Sequence, residues 1–160
     1  MLTKEEFARA VSGHKDTVFR IAFSYMKNPH DADDITQTVF LKLWNSRITF
    51  ENDRHLRNWL IRVAINECRS IFRGPWRRME NIDDYAEQLA MPTPKHTELF
   101  SLVMAMPEKY RTILYLFYYE GYSAEEIGAF LRIPAATVRT RLVRGRKQLK
   151  KIVTEGSDDD

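Results

Sequence analysis

Apolar positions recur at helical spacing along almost the whole chain. No stretch of useful length alternates apolar with polar residues as a half-buried strand would. The pattern predicts an all-α protein. Two helices are expected over Leu2–Val11 and Lys15–Lys27. The segment KNPHDAD breaks the periodicity at Pro29, and Asp31 is the expected N-cap of a third helix, Ala32–Asn45. A loop over Ser46–Arg54 leads into a long fourth helix, His55–Arg73, which Gly74 and Pro75 end. Trp76–Thr97 is weakly periodic and carries Pro92 and Pro94, so it reads as a linker with room for one short helix. Helices are then expected over Glu98–Ala105, Pro107–Glu120, Ser123–Leu131 and Pro134–Val153. Pro107 and Pro134 suit first helical positions, and Ser123 and Glu126 have the spacing of a capping box. The expected organisation is two small helical domains, residues 1–75 and 98–160, joined by a linker over 76–97.

The last helix has two chemically different faces. At 100° per residue, Val138, Leu142, Gly145, Leu149 and Ile152 fall within about 40° of one line, an apolar stripe to be buried. Thr140, Val143, Arg144, Lys147 and Lys151 lie opposite, flanked by Arg139 and Lys150. The short helix before it, with Ala124, Ile127 and Leu131 on one side, and the brief connection to Pro134 complete a helix-turn-helix, whose second helix can enter a major groove. Gly128 and Gly145 are expected where helices cross closely, since Gly145 costs about 1 kcal/mol of helix propensity against Ala.

The fourth helix carries a different stripe. His55, Trp59, Arg62, Asn66, Arg69 and Arg73 share one side, and Leu56, Leu60, Ile61, Val63, Ala64, Ile65, Cys68, Ile71 and Phe72 are the helix's apolar positions. A Trp among arginines suits a single strand, because bases stack on aromatic faces and arginines hold phosphates. The other reading is that Trp59 packs at the rim of the core. On the third helix, Ala32, Ile35, Val39 and Leu43 form the core line. Asp33, Asp34, Gln37, Thr38, Leu41 and Lys42 lie largely outside it, as a protein-docking face or as an acidic first turn favoured by the helix dipole.

Charge changes this picture through its placement. The net charge of the 160-residue chain is only +3, but basic residues cluster over Arg54–Arg78 and Arg132–Lys151, and the chain ends in an acidic tail. One cysteine, Cys68, excludes an internal disulfide and fits a reducing compartment. The apolar side of its helix makes it a buried thiol. No run is long enough to span a membrane, and the N-terminus has acidic residues where a secretory signal would be apolar. His14, His30, His55 and His96 lack metal-ligand spacing, and no phosphate-binding loop or nucleophile triad is present. The sequence therefore predicts no enzyme activity, no cofactor and no metal.

Three segments together, DADDITQTVFLKLW, RNWLIRVAINECRSIFR and MPEKYRTILYLFYYEGYSAEEIGAFLRIPAATVRTRLVRGRKQLKK, resemble the bacterial RNA polymerase sigma factors of the extracytoplasmic-function (ECF) group. The likeness covers nearly all of the chain outside the linker and the tail. It implies that Asp34, Gln37, Thr38 and Leu41 dock on the polymerase core. It implies that Phe50, Trp59, Arg62 and Asn66, with Arg69 in the same stripe, bind and melt the −10 element. It also implies that Arg139, Thr140, Val143 and Arg144, with Lys147 on the same face, bind the −35 element. Family members commonly have Glu at the position of Thr38, Gly at those of Arg132 and Ala136, and Ala at that of Gly145. The implied partners are the clamp and flap of core polymerase, promoter DNA and an anti-sigma factor, with a cytoplasmic location and no direct membrane insertion. A stand-alone helix-turn-helix regulator of duplex DNA is the competing reading. It would need a ligand or dimer domain in place of the docking helix and the Trp/Arg/Asn stripe.

Overall fold

A computed structural model of the chain describes residues 1–71 and 94–158. Every regular element among them is a helix, so the fold is all-α, as the periodicity predicts. Two compact units make up the chain, residues 1–80 and 81–160, and each is taken by itself.

The first unit contains α1 (Lys4–Met26), α2 (Pro29–Asn45) and α3 (Asp53–Ile71). The two expected N-terminal helices are one. Thr3 caps α1 by accepting the Glu6 N–H at 3.1 Å, and the helix runs unbroken through Gly13 to a left-handed C-cap at Lys27. A helical glycine costs about 1 kcal/mol. Ala10, His14, Thr17 and Val18 are buried on both sides of it, and burial of that continuous face outweighs a local preference to stop. The N-terminus of α2 also departs from expectation. Asn28, not Asp31, is the cap, and its side chain accepts the N–H groups of His30 and Asp31 at 2.9 and 3.1 Å. Pro29 then occupies the first helical position, where a missing N–H costs nothing, so it opens the helix instead of breaking it. At α3 the Asn52 side chain accepts the His55 N–H at 2.8 Å, which starts the helix two residues early.

These helices bury Ile21, Phe23 and Met26 of α1 against Ile35, Val39 and Leu43 of α2 and Leu60, Ile61 and Ile65 of α3. Cys68 lies fully inside. The predicted core lines of α2 and α3 are buried or half-buried, with one correction. Ile71, expected on the apolar side, is 49% exposed at the last described position of α3. The expected positions of Phe72 and Arg73, the Gly74–Pro75 stop and most of the linker lie outside the described residues.

The second unit contains α4 (Pro94–Met104), α5 (Glu108–Tyr118), α6 (Ala124–Leu131) and α7 (Ala135–Asp158). Helix α4 begins four residues before the expected start at Glu98, within the segment read as linker. Pro107 and Pro134 each stand one position before the first helical residue. Phe100, Leu114, Tyr115, Tyr122, Ile127 and Val138 fill the core. The ring of Phe100 meets Tyr115 and Tyr119 edge-on at 5.7 and 6.0 Å, and burial, with Tyr115 beside it, pushes the Tyr119 phenol up from its ordinary pKa. A buried Arg111 reaches the Met106 carbonyl at 3.4 Å; the helical pattern gave no sign of that inward cation.

Candidate nucleic-acid and partner interfaces

The helix-turn-helix is built from local chemistry. Ser123 Oγ accepts the Glu126 N–H, and Glu126 Oε1 accepts the Ser123 N–H, both at 3.1 Å, so the expected capping box is complete. Helix α6 closes at Arg132, whose backbone is left-handed (φ 58°), and the Arg132 and Ile133 N–H groups both reach the Gly128 carbonyl. A Cβ on Gly128 would stand 2.7 Å from the Ile133 carbonyl oxygen. The same Cβ would lie 3.4 Å from the backbone N of Ala135, the first residue of α7, so Gly128 admits both the turn and the close start of the next helix. Gly145 does serve a close helix contact, since its Cβ would lie 3.3 Å from Leu114 and 3.5 Å from Tyr110 on α5.

That packing fixes which face of α7 looks outward. Val138, Leu142 and Gly145 are buried, and Leu149 and Ile152 are half-buried. Arg139, Thr140, Val143, Arg144 and Lys147 are all exposed, with Lys150 and Lys151 beyond them. Thr140 Oγ1 donates to the Ala136 carbonyl at 3.0 Å, and Arg139 Nη1 donates to Glu125 Oε1 at 2.7 Å. The surface is cationic and one helix wide, with an exposed apolar side chain, Val143, at its middle. Such a face can neutralise phosphates and present side chains to base edges.

In the first unit, α3 points Arg62, Asn66 and Arg69 to solvent on one side, and Trp59 is half-buried above them. The loop before α3 supplies Phe50, whose ring meets Trp59 at 5.7 Å and His55 at 5.2 Å, both edge to face. His55 Nδ1 accepts the Glu51 N–H at 3.0 Å, which places the neutral ring's proton on Nε2 and ties the loop to the helix. His14 and Asp53 meet at 2.8 Å and hold the start of α3 against α1. Phe50, Trp59, Arg62, Asn66 and Arg69 thus share one surface. The Trp59 ring packs against Phe50 of the loop and also reaches solvent.

On α2, Asp34 and Gln37 are exposed, Thr38 is half-buried, and Leu41 is 60% exposed. Lys42 pairs with Glu67 and ties the helix to α3. Beside Gln37 and Leu41 runs a groove of about 640 Å³ between α1 and α2, with Phe7, Val11, Phe40 and Trp44 in its lining and Lys4 and Lys15 at its rim. Phe7 and Trp44 meet edge to face at 5.0 Å. The α1 side of this surface was not legible from α2. Its only sequence signal is the i, i+4 pair Phe7 and Val11 near the chain's start. An apolar groove continuous with an exposed Leu suits a protein partner.

Among the described residues, no group of three His, Cys, Asp or Glu side chains is placed to hold a metal, and no helix is long and apolar enough to cross a membrane.

Comparison with known proteins matches both units. The family model described as Sigma-70 region 2 matches residues 10–78, and that described as Sigma-70, region 4 matches residues 96–149. The ECF RNA polymerase sigma factor SigW of Bacillus subtilis is 29% identical, over 92% of this chain and 89% of its own. The ECF sigma factor SigE of Mycolicibacterium smegmatis is 32% identical, over 93% of this chain and 62% of its own. Among solved structures, the sigma factor RpoE of Bartonella quintana, in complex with the anti-sigma factor NepR, superimposes with a TM-score of 0.70 at 18% identity, covering 94% of this chain and 98% of that one.

Proposed function

The chain belongs to the ECF group of the sigma-70 family, and from that premise we propose that it is a dissociable subunit that directs bacterial RNA polymerase to a set of promoters. The exposed face of α7, with Arg139, Thr140, Val143, Arg144 and Lys147, enters the major groove of the −35 duplex. Phe50, Trp59, Arg62, Asn66 and Arg69 receive the −10 element as a melted strand. Unstacking a base costs a few kcal/mol, which stacking on an aromatic ring and contacts to the strand offset. Asp34, Gln37, Thr38 and Leu41 dock on the clamp of core polymerase, and the second unit reaches its flap. The protein works by positioning and is not itself a catalyst. It acts in the cytoplasm and is held in check by an anti-sigma factor, as the complex of its structural relative with NepR suggests.

The observation that carries this reading is the union of two surfaces in one chain. A helix-turn-helix with a cationic outer face accompanies a separate unit whose Phe50–Trp59 ring pair sits beside three exposed polar side chains. A stand-alone regulator has no use for the second. The test is co-elution of the chain with bacterial core polymerase, followed by transcription from a duplex library. Stable co-elution and initiation from a defined promoter class are expected. Duplex binding without any association with core polymerase would refute the proposal.

A further inference from the structure

The recognition helix does not carry Arg139 as a free cation. Its guanidinium reaches back fourteen residues to Glu125, in the first turn of α6, at 2.7 Å. Both side chains are more than half exposed, 57% and 69%, so the pair adds little to stability. The Glu125 carboxyl is held below its usual range by its own backbone N–H and by Arg139. Glu126 beside it is occupied by the capping box, which leaves Glu125 as this turn's carboxylate for Arg139.

An acidic side chain at a nucleic-acid surface repels phosphates and lowers sequence-independent affinity. Its benefit has to lie in what it does to Arg139. A guanidinium has five N–H donors in a rigid fork. Glu125 takes Nη1, which leaves the edge formed by Nε and Nη2, and such an edge matches the O6 and N7 acceptors of guanine. A long side chain that is already held loses less rotamer freedom when it docks.

We propose that Glu125 is a positioning residue for −35 recognition, which sets Arg139 to read a guanine and disfavours docking on unrelated duplex. The inference rests on the reading of α7 as the −35 helix. It makes selectivity a property of both helices of the motif.

The test uses holoenzyme assembled from the full chain and bacterial core polymerase. A preferred −35 sequence is first selected from a random duplex library. Affinity for it, for its single-base-pair variants and for unrelated duplex is then measured at two salt concentrations, for the wild type, Glu125→Gln, Arg139→Ala and the double variant. Glu125→Gln is expected to bind unrelated duplex at least as tightly as wild type and to lose about tenfold of discrimination at one G·C pair. The double variant is expected to discriminate no worse than Arg139→Ala alone. If Arg139→Ala loses discrimination and Glu125→Gln does not, or if the two losses add in full, the role of Glu125 is overturned while the reading of α7 stands. If Arg139→Ala itself leaves discrimination at every base pair unchanged, the base-reading role of Arg139 fails and the inference fails with it.

Discussion

The rings of Phe50 and Trp59 meet edge to face with centroids 5.7 Å apart, one from the loop before α3 and the other from its second turn. Their contact makes the loop and the helix a single surface. The His55 ring also meets Phe50 edge to face, and its own Nδ1 accepts the Glu51 backbone N–H. A strand laid along Arg62 and Asn66 would therefore meet a pre-assembled aromatic corner.

Cutting Trp59 to Ala removes one wall of that corner. Because the ring is only half-buried, the loss of stability is expected at about 1–2 kcal/mol, below the 3–5 kcal/mol or so of a fully buried Trp. Trp59→Ala and Asn66→Ala should stay folded and bind core polymerase yet fail to open duplex promoters, and a pre-melted −10 bubble should partly restore them. Thermal melts followed by permanganate footprinting on both templates check this. Normal opening of duplex promoters by both variants would remove the melting role from this surface.

Arg144 stands exposed opposite the buried Val138–Gly145 line of α7. Arg144→Ala is expected to weaken −35 duplex binding by about 1–3 kcal/mol at particular base pairs, with core binding unchanged. A loss uniform across sequences, with a shallower salt dependence, would reassign the side chain to phosphate.

Leu41 is 60% exposed beside the groove of Phe7, Phe40 and Trp44. Leu41→Glu should shift stability by no more than about 0.5 kcal/mol, while co-elution with core polymerase is lost. Retained co-elution at an unchanged melting temperature would separate this face from polymerase docking.

Two positions in the turn should respond with opposite signs. Arg132 holds a left-handed backbone (φ 58°), a conformation that glycine adopts without strain. Arg132→Gly is expected to raise stability by up to about 1 kcal/mol. At Gly128, four residues earlier, a Cβ would lie 2.7 Å from the Ile133 backbone oxygen, so the backbone of the turn itself would have to shift. Gly128→Ala should cost about 2 kcal/mol or more. Denaturant unfolding of the three proteins measures both. A stabilising Gly128→Ala would mean that the turn relaxes freely.

Much of the molecule could be read from the chain, because the deciding interactions were short-range. The capping box joins Ser123 to Glu126 across three residues. The two faces of α7 follow from helical geometry once the segment is helical, and the burial of Val138, Leu142 and Gly145 obeys them. The core lines of α2 and α3 were legible for the same reason. Where two local signals competed, the structure took the one that was not expected. Asn28 and Asp31 are both good caps, and the backbone geometry around Pro29 chose Asn28. Gly13 invites a break that the continuous buried face of α1 overrides.

What only the tertiary structure decided are the contacts made between segments. Phe50 against Trp59, Phe7 against Trp44, Lys42 with Glu67 and Glu125 with Arg139 all depend on how separate helices and loops pack. Periodicity tells which side of a helix faces inward, and it is blind to the angle and height at which the next helix crosses. Those are set when whole apolar faces interlock at close packing. The sequence thus determined the helices and their two-faced character, and the packing of those faces decided which exposed side chains meet to form the surfaces.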